Sequence, residues 1–205
     1  MSTTQAGMKK KLHQKTNMLK ANFPITFPTI ALKRVLLSQP LEKDVRALVK
    51  LLGSSKTYAR NTLNIPYPYE QKDGTFWVNL SENSFEKKEA LLFAVRLKDT
   101  EELIGGVGIH LSPGHNKAEL GYWIGAPFWR QGYALEVING IVDYSFSILC
   151  LNKLFAHVFS FNTSSSRLLE KAGFTLEAVL KEEYFKDNTA IDANRYYLLR
   201  SERKI

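Results

Sequence analysis

Cysteine is almost missing from this chain. The one example, Cys150, excludes an intrachain disulfide and fits a reducing compartment such as the cytoplasm. No run of about 18 apolar residues occurs, so no membrane span is expected. The N-terminus lacks the compact apolar segment of a secretory signal. Neither His110 nor His115 stands at a metal-ligand spacing from the other or from carboxylates, so no metal is expected. Internal repeats and low-complexity stretches are absent too. Acidic residues are missing from positions 1–20, which hold Lys9, Lys10, Lys11, Lys15 and Lys20. Of the net charge of +8, five units lie in that tail, so the body is only mildly basic. A basic tail attracts RNA, anionic surfaces or acidic proteins through its field. No aromatics interleave with these lysines, which argues against strong RNA reading, and a solvated extension is the plainer alternative.

What is present is enough apolar material for one core: 44% of 205 residues are hydrophobic. We read residues 1–28 as a basic extension and 29–205 as one domain. Residues 29–37 alternate weakly and predict a strand. Pro40 and the helical spacing of Leu41, Val45, Leu48, Val49 and Leu52 predict a helix stopped by Gly53. A short helix is expected over 55–61, a loop over 62–70 with Tyr67 and Tyr69 either lining an entrance or covering the core edge, and a polar helix over 81–90. Strands are expected at 91–97, 103–111 and 118–124, a long helix from Ala134, a strand at 153–161, and a helix over 164–172 capped by Thr163 or Ser164. Two final strands, 174–182 and 191–200, turn at Lys186-Asp187-Asn188. The glycines Gly105, Gly106 and Gly108 suggest a bulge or a close backbone approach. The fold class is α+β, a mixed and mostly antiparallel sheet of about seven strands with about four helices, in the order β-α-α-β-β-β-α-β-α-β-β.

The stretch Glu119–Glu136, ELGYWIGAPFWRQGYALE, joins a strand to the long helix through a tight loop at Gly132. Glycine lets the backbone turn and approach a ligand. A helix start offers unpartnered N–H groups and partial positive charge, which suits a phosphate. Arg130 adds a full charge. The segment reads as a cradle for a pyrophosphate.

The wording W-R-Q-G-Y-A, followed by N-T-S-S-S-R-L-L-E-K-A-G-F, resembles the GNAT acyl-CoA N-acyltransferases. Within them it is most similar to the RimJ/RimL-type branch, the ribosomal-protein N-terminal acetyltransferases. The resemblance covers about residues 30 to 200. It implies splayed fourth and fifth strands, between which the pantetheine arm of acetyl-CoA pairs like an added strand. It also implies that the backbone of Tyr122, Trp123 and Ile124 bonds the pantetheine. The backbone of Arg130, Gln131, Gly132, Tyr133, Ala134 and Leu135 would wrap the pyrophosphate. Asn162 would contact the CoA arm, and Ser165 would protonate the leaving thiolate. Trp129 departs from the broad family pattern, which has Gln or Arg there.

The implied reaction is acetyl transfer to a primary amine, a protein N-terminus or a small molecule, in a ternary complex. The amine must lose a proton near neutral pH. His157 stands where some family members carry a basic glutamate. Glu119 is the other candidate, and the two could share the task through water. Tyr196 is expected to pack in the core and Asp192 to bond nearby backbone. A non-catalytic CoA-binding module, or weak ribosome or RNA contact through residues 1–20, is the alternative.

Overall fold

The computed structural model describes residues 22–203. The expected tail of residues 1–20 therefore lies outside the described residues. The expected first strand is two, β1 (Ile30–Ala31) and β2 (Val35–Ser38), folded back antiparallel with Ile30 opposite Leu37. The turn between them closes when Leu32 N–H donates to the Val35 carbonyl at 2.9 Å. After a 3-10 turn come α1 (Val45–Leu52) and α2 (Lys56–Asn61), the latter capped by the Ser55 side chain, which accepts from Thr57 N–H. A long helix α3 (Gln71–Glu86) follows. The sheet continues with β3 (Ala90–Leu97), β4 (Leu103–Ser112) and β5 (Lys117–Ile124). The chain ends with α4 (Tyr133–Ser147), β6 (Lys153–Phe159), α5 (Thr163–Lys171), β7 (Thr175–Lys186) and β8 (Thr189–Leu199). The fold class stands, with eight strands and five α-helices among the described residues.

Two expectations need correction, and a third holds. The polar helix expected at 81–90 begins ten residues earlier. Gly74 in its first turn masks the helical pattern, and that glycine is used for packing, because a Cβ there would come within 3.0 Å of Val45 Cγ1. Asp73 caps this helix by accepting from Glu70 N–H at 2.8 Å. The cap of α5 is Asn162 rather than Thr163 or Ser164. The bulge suspected at the β4 glycines is there: Val95 pairs with Gly105 and Arg96 with Leu103, which leaves Ile104 as the extra residue in β4. At Gly106 the close approach holds as well: a Cβ there would sit 2.6 Å from the Trp123 indole nitrogen.

The strands run in the spatial order β1-β2-β3-β4-β5-β6-β8-β7, and every neighbouring pair is antiparallel except β5–β6. One face carries α4, whose Val137, Ile138, Ile141 and Val142 are fully or almost fully buried against Leu91, Phe93, Val107 and Leu154. Each such side chain contributes about 1.5–3 kcal/mol of burial. The other face is covered over β3–β5 by α1, α2 and α3, through Leu48, Leu52, Tyr58 and Val78. A buried ion pair fixes this layer: Arg96 donates to both Asp44 oxygens at 2.7 and 2.6 Å, and to Ser38 Oγ at 2.9 Å. Tyr69 belongs to the same packed layer, while Tyr67 is exposed. No helix of the described residues is long and apolar enough to cross a membrane.

Candidate active site

The one parallel junction is also where the sheet opens. β5 and β6 are paired only at Lys117–Lys153, Ala118–Leu154 and Glu119–Phe155. Beyond that, β5 runs on to Ile124 and β6 to Phe159 without pairing. Strand backbone is thus exposed inside a fork. Antiparallel strands bond their neighbour at alternate residues. Gly125 N–H donates to the Ile104 carbonyl at 2.7 Å, which sets the alternation: Trp123 and Gly121 face β4, and Tyr122 and Ile124 face the fork. Of the three residues expected to offer backbone there, Trp123 is therefore spent on β4. The Ile124 carbonyl is taken as well, by Trp129 Nε1 at 2.6 Å. The departure at Trp129 is a prop for the end of the strand. Tyr58 supports the same corner, its hydroxyl accepting from Ala126 N–H at 2.5 Å.

The loop that follows turns through two left-handed residues, Arg130 at φ 59° and Gly132 at φ 82°. For Arg130 that conformation costs on the order of 1–2 kcal/mol, and for Gly132 little. Gly132 caps α4 with no side chain, and its carbonyl accepts from Glu136 N–H at 3.1 Å. The N–H groups of Tyr133, Ala134 and Leu135 are left as the unpartnered first turn. Gln131 folds its amide back to the Pro127 carbonyl at 2.9 Å. The sequence reading missed Arg34. It reaches this loop from the β1–β2 turn: its backbone N–H and Nε donate to Glu136 at 2.6 and 2.7 Å, and Nη1 donates to the Gln131 carbonyl at 2.9 Å. Burial pushes the Glu136 carboxyl up, but the bonds and charge of Arg34 outweigh it and hold it below the usual value. A first-turn glutamate is ordinary in a sequence, and no local signal ties it to a residue 102 positions earlier.

Across the fork, Asn162 Oδ1 accepts from Ser165 N–H at 3.2 Å, which leaves the amide nitrogen of Asn162 to donate elsewhere. Ser165 Oγ lies 2.6 Å from the Tyr122 hydroxyl, so the tyrosine side chain spans from β5 to α5. Burial pushes the Tyr122 hydroxyl up to about 12, so it stays protonated.

The opposite face brings the two base candidates together. His157 Nδ1 lies 2.8 Å from Glu119 Oε1. This bond, opposed by burial, holds the Glu119 carboxyl below its ordinary value. An ionised carboxylate only accepts, so Nδ1 carries a hydrogen toward Glu119, and in that neutral tautomer Nε2 holds the lone pair. That Nε2 is buried and has no hydrogen-bonding partner among the described residues. The Phe155 and Tyr184 rings stand edge-on to the imidazole at 5.6 and 6.2 Å, and Phe159 packs on Tyr184 at 5.6 Å. Tyr196 is buried away from this site and donates to Glu170 Oε1 at 3.1 Å. Asp192 accepts from Glu182 N–H at 2.9 Å, steadying the bulge of β7.

Comparison with known proteins places this geometry. An uncharacterized N-acetyltransferase, YoaA, of Bacillus subtilis (strain 168) is 33% identical over 175 residues, covering 85% of this chain and 98% of that protein. Spermidine N(1)-acetyltransferase of Vibrio cholerae serotype O1 is 32% identical over 140 residues, 62% of this chain and 80% of that one. A solved ribosomal L7/L12 alpha-N-protein acetyltransferase, RimL, in complex with coenzyme A shares the fold with a TM-score of 0.76 at 19% identity, covering 84% and 98%. The acetyltransferase (GNAT) domain family matches residues 34–175, and the chain belongs to that family.

Proposed function

We propose that this chain, an acetyl-CoA-dependent N-acetyltransferase, passes the acetyl group directly to a peptide α-amine or a modest small amine, with no acyl-enzyme. The observation that carries the reading is the fork. Its strand backbone opens where the Glu119–His157 pair lies on one face and Ser165 begins the helix on the other. The residues present suit the coenzyme. The first-turn N–H groups of Tyr133, Ala134 and Leu135 match a diphosphate. The Tyr122 backbone and the Ile124 N–H suit the amides of the arm and a developing oxyanion.

His157 takes the proton of the attacking amine at Nε2. A buried lone pair without a donor costs about 1–3 kcal/mol, and the amine supplies that donor. Glu119 fixes the ring and its tautomer and balances the imidazolium that forms. Ser165 gives its hydroxyl proton to the departing thiolate and takes one back from water, with the Tyr122 hydroxyl holding its orientation. An α-amine, with a pKa near ~7.7–8.0, needs far less help to become neutral than a lysine near ~10.4.

Charge also bears on the acceptor. On the open face Glu119 is taken by His157, and Glu177 is paired with Lys153 and Arg195. A polycation finds little free carboxylate beside the reacting pair, so we place the protein with the RimJ/RimL-like branch rather than with polyamine acetylation. Work in the cytoplasm fits the single cysteine. The test is thiol release from acetyl-CoA with a panel of peptides, small amines and spermidine, followed by mass spectrometry of products. Peptide or small-amine turnover that exceeds spermidine turnover supports the reading. Failure to release thiol with any amine, or a preference for spermidine, overturns it.

A further inference from the structure

Arg34 is the residue whose contacts this mechanism leaves unused. It lies in the β1–β2 turn, far from the Gly132 loop in sequence, yet every hydrogen bond that it donates ends on that loop or on the first turn of α4. Nε and the backbone N–H hold the two Glu136 oxygens. Nη1 holds the Gln131 carbonyl, in the residue between the two left-handed positions. The guanidinium carbon lies 4.3 Å from the centre of the Tyr133 ring. Nη2 makes no hydrogen bond among the described residues, and it lies 3.3 Å from where a Cβ on Gly132 would stand. The side chain is 41% exposed, so the free nitrogen is not sealed in.

We infer that Arg34 is a phosphate-binding residue of the coenzyme site, with Nη2 donating to the diphosphate that the helix start receives. The inference rests on the coenzyme reading above and adds a side chain to a backbone site. Arginine is suited to the double task. Its planar fork keeps one edge on Glu136 while the other edge meets a phosphate oxygen, and it stays charged throughout. Glu136 sits in the first turn, where an unpaired carboxylate would compete with an anion for the same N–H groups. Arg34 occupies both of its oxygens and removes that competition. Lysine in its place keeps the charge but loses the fork.

The experiment compares two acetyl donors, acetyl-CoA and acetyl-pantetheine, which lacks phosphates. Both are tested with wild type, Arg34→Ala, Arg34→Lys and Glu136→Gln, and coenzyme A binding is measured by calorimetry. Arg34→Ala is expected to reduce the preference for acetyl-CoA over acetyl-pantetheine, as a ratio of kcat/KM, by about twentyfold, with Arg34→Lys in between. Glu136→Gln is expected to keep coenzyme A affinity within about threefold, because it frees Arg34 rather than removing it. An Arg34→Lys protein that folds with an unchanged donor preference overturns the inference. So does Glu136→Gln weakening coenzyme A as much as Arg34→Ala, which would make Arg34 a brace of the loop and nothing more. If the wild type turns over neither donor, the coenzyme reading falls first and this inference with it. If the wild type prefers acetyl-CoA and Arg34→Ala keeps that preference, only the inference falls.

Discussion

The two ends that we assign to the fork, one for the coenzyme and one for the amine, are built from different material. The coenzyme end is mostly main chain: the Tyr122 and Ile124 backbone, two left-handed residues, and the unpartnered N–H groups that open α4. The amine end is side chains: an imidazole on β6, a carboxylate on β5, and rings from β6 and β7. Backbone that follows from local conformation tolerates changes of side chain but not of φ. A side-chain site tolerates neither loss of a group nor loss of its neighbour's hydrogen bond. This difference predicts how each end fails.

The largest effect is expected where conformation is the function. Gly132 at φ 82° has room for a Cβ only against Arg34 Nη2 at 3.3 Å. A β-branched residue is strongly disfavoured at that φ. Gly132→Val is expected to raise the dissociation constant for coenzyme A by 100-fold or more, read by calorimetry, while the Glu119–His157 face keeps its geometry. If affinity falls less than about threefold, the backbone account of that end is wrong.

At the amine end the expected loss is in rate. His157→Gln keeps the size of the group and removes the proposed base, so kcat should fall by about 10²-fold with acetyl-CoA affinity unchanged. Glu119→Gln should cost less, since it leaves the imidazole in place but no longer fixes the tautomer. The pH profile separates the two. In the wild type the Glu119 carboxyl is held below the ordinary glutamate value of ~4.3, so its support of the ring persists above that pH and is lost as pH falls through the depressed value. In Glu119→Gln the part of the acid limb that this carboxyl produces should vanish. Its retention would mean that another group produces the limb.

The contrast also explains what could be read without coordinates. The Gly132 corner is contiguous, so its glycine, its arginine and the helix that follows announce each other within a few residues. Most strand limits were legible for the same reason, from alternation and from turns such as Asp187-Asn188, both left-handed as such a tight turn requires. The start of α3 was hidden because Gly74 is a poor helix former chosen for its contact with Val45. Arg34 was hidden because an ion pair between a turn and a helix 102 residues on leaves no local pattern. His157 and Glu119 could each be named as candidates, but the bond between them is set by the register of β5 against β6. The alternation that withdraws the Trp123 backbone depends in the same way on pairing with β4.

The smallest effect tests the one residue that bridges the proposed fork. Tyr122 gives its backbone to the coenzyme end and its hydroxyl to Ser165, at 2.6 Å. Because burial pushes that hydroxyl up to about 12, it donates rather than ionises across the working range. Ser165 Oγ can then accept from the tyrosine and turn its own hydrogen toward the sulfur. Tyr122→Phe keeps the ring, and with it the packing of β5 on α5. It should lower kcat about three- to fivefold, and Ser165→Ala about tenfold, neither changing coenzyme A affinity much. In the double variant the loss should match Ser165→Ala alone, since the hydroxyl of Tyr122 acts only through that serine. The effect should shrink with an acetyl donor whose thiol is more acidic, because a better leaving group needs less protonation. Additive losses, or losses that do not vary with the thiol, would place Tyr122 in the scaffold of the coenzyme end and remove the bridge between the two.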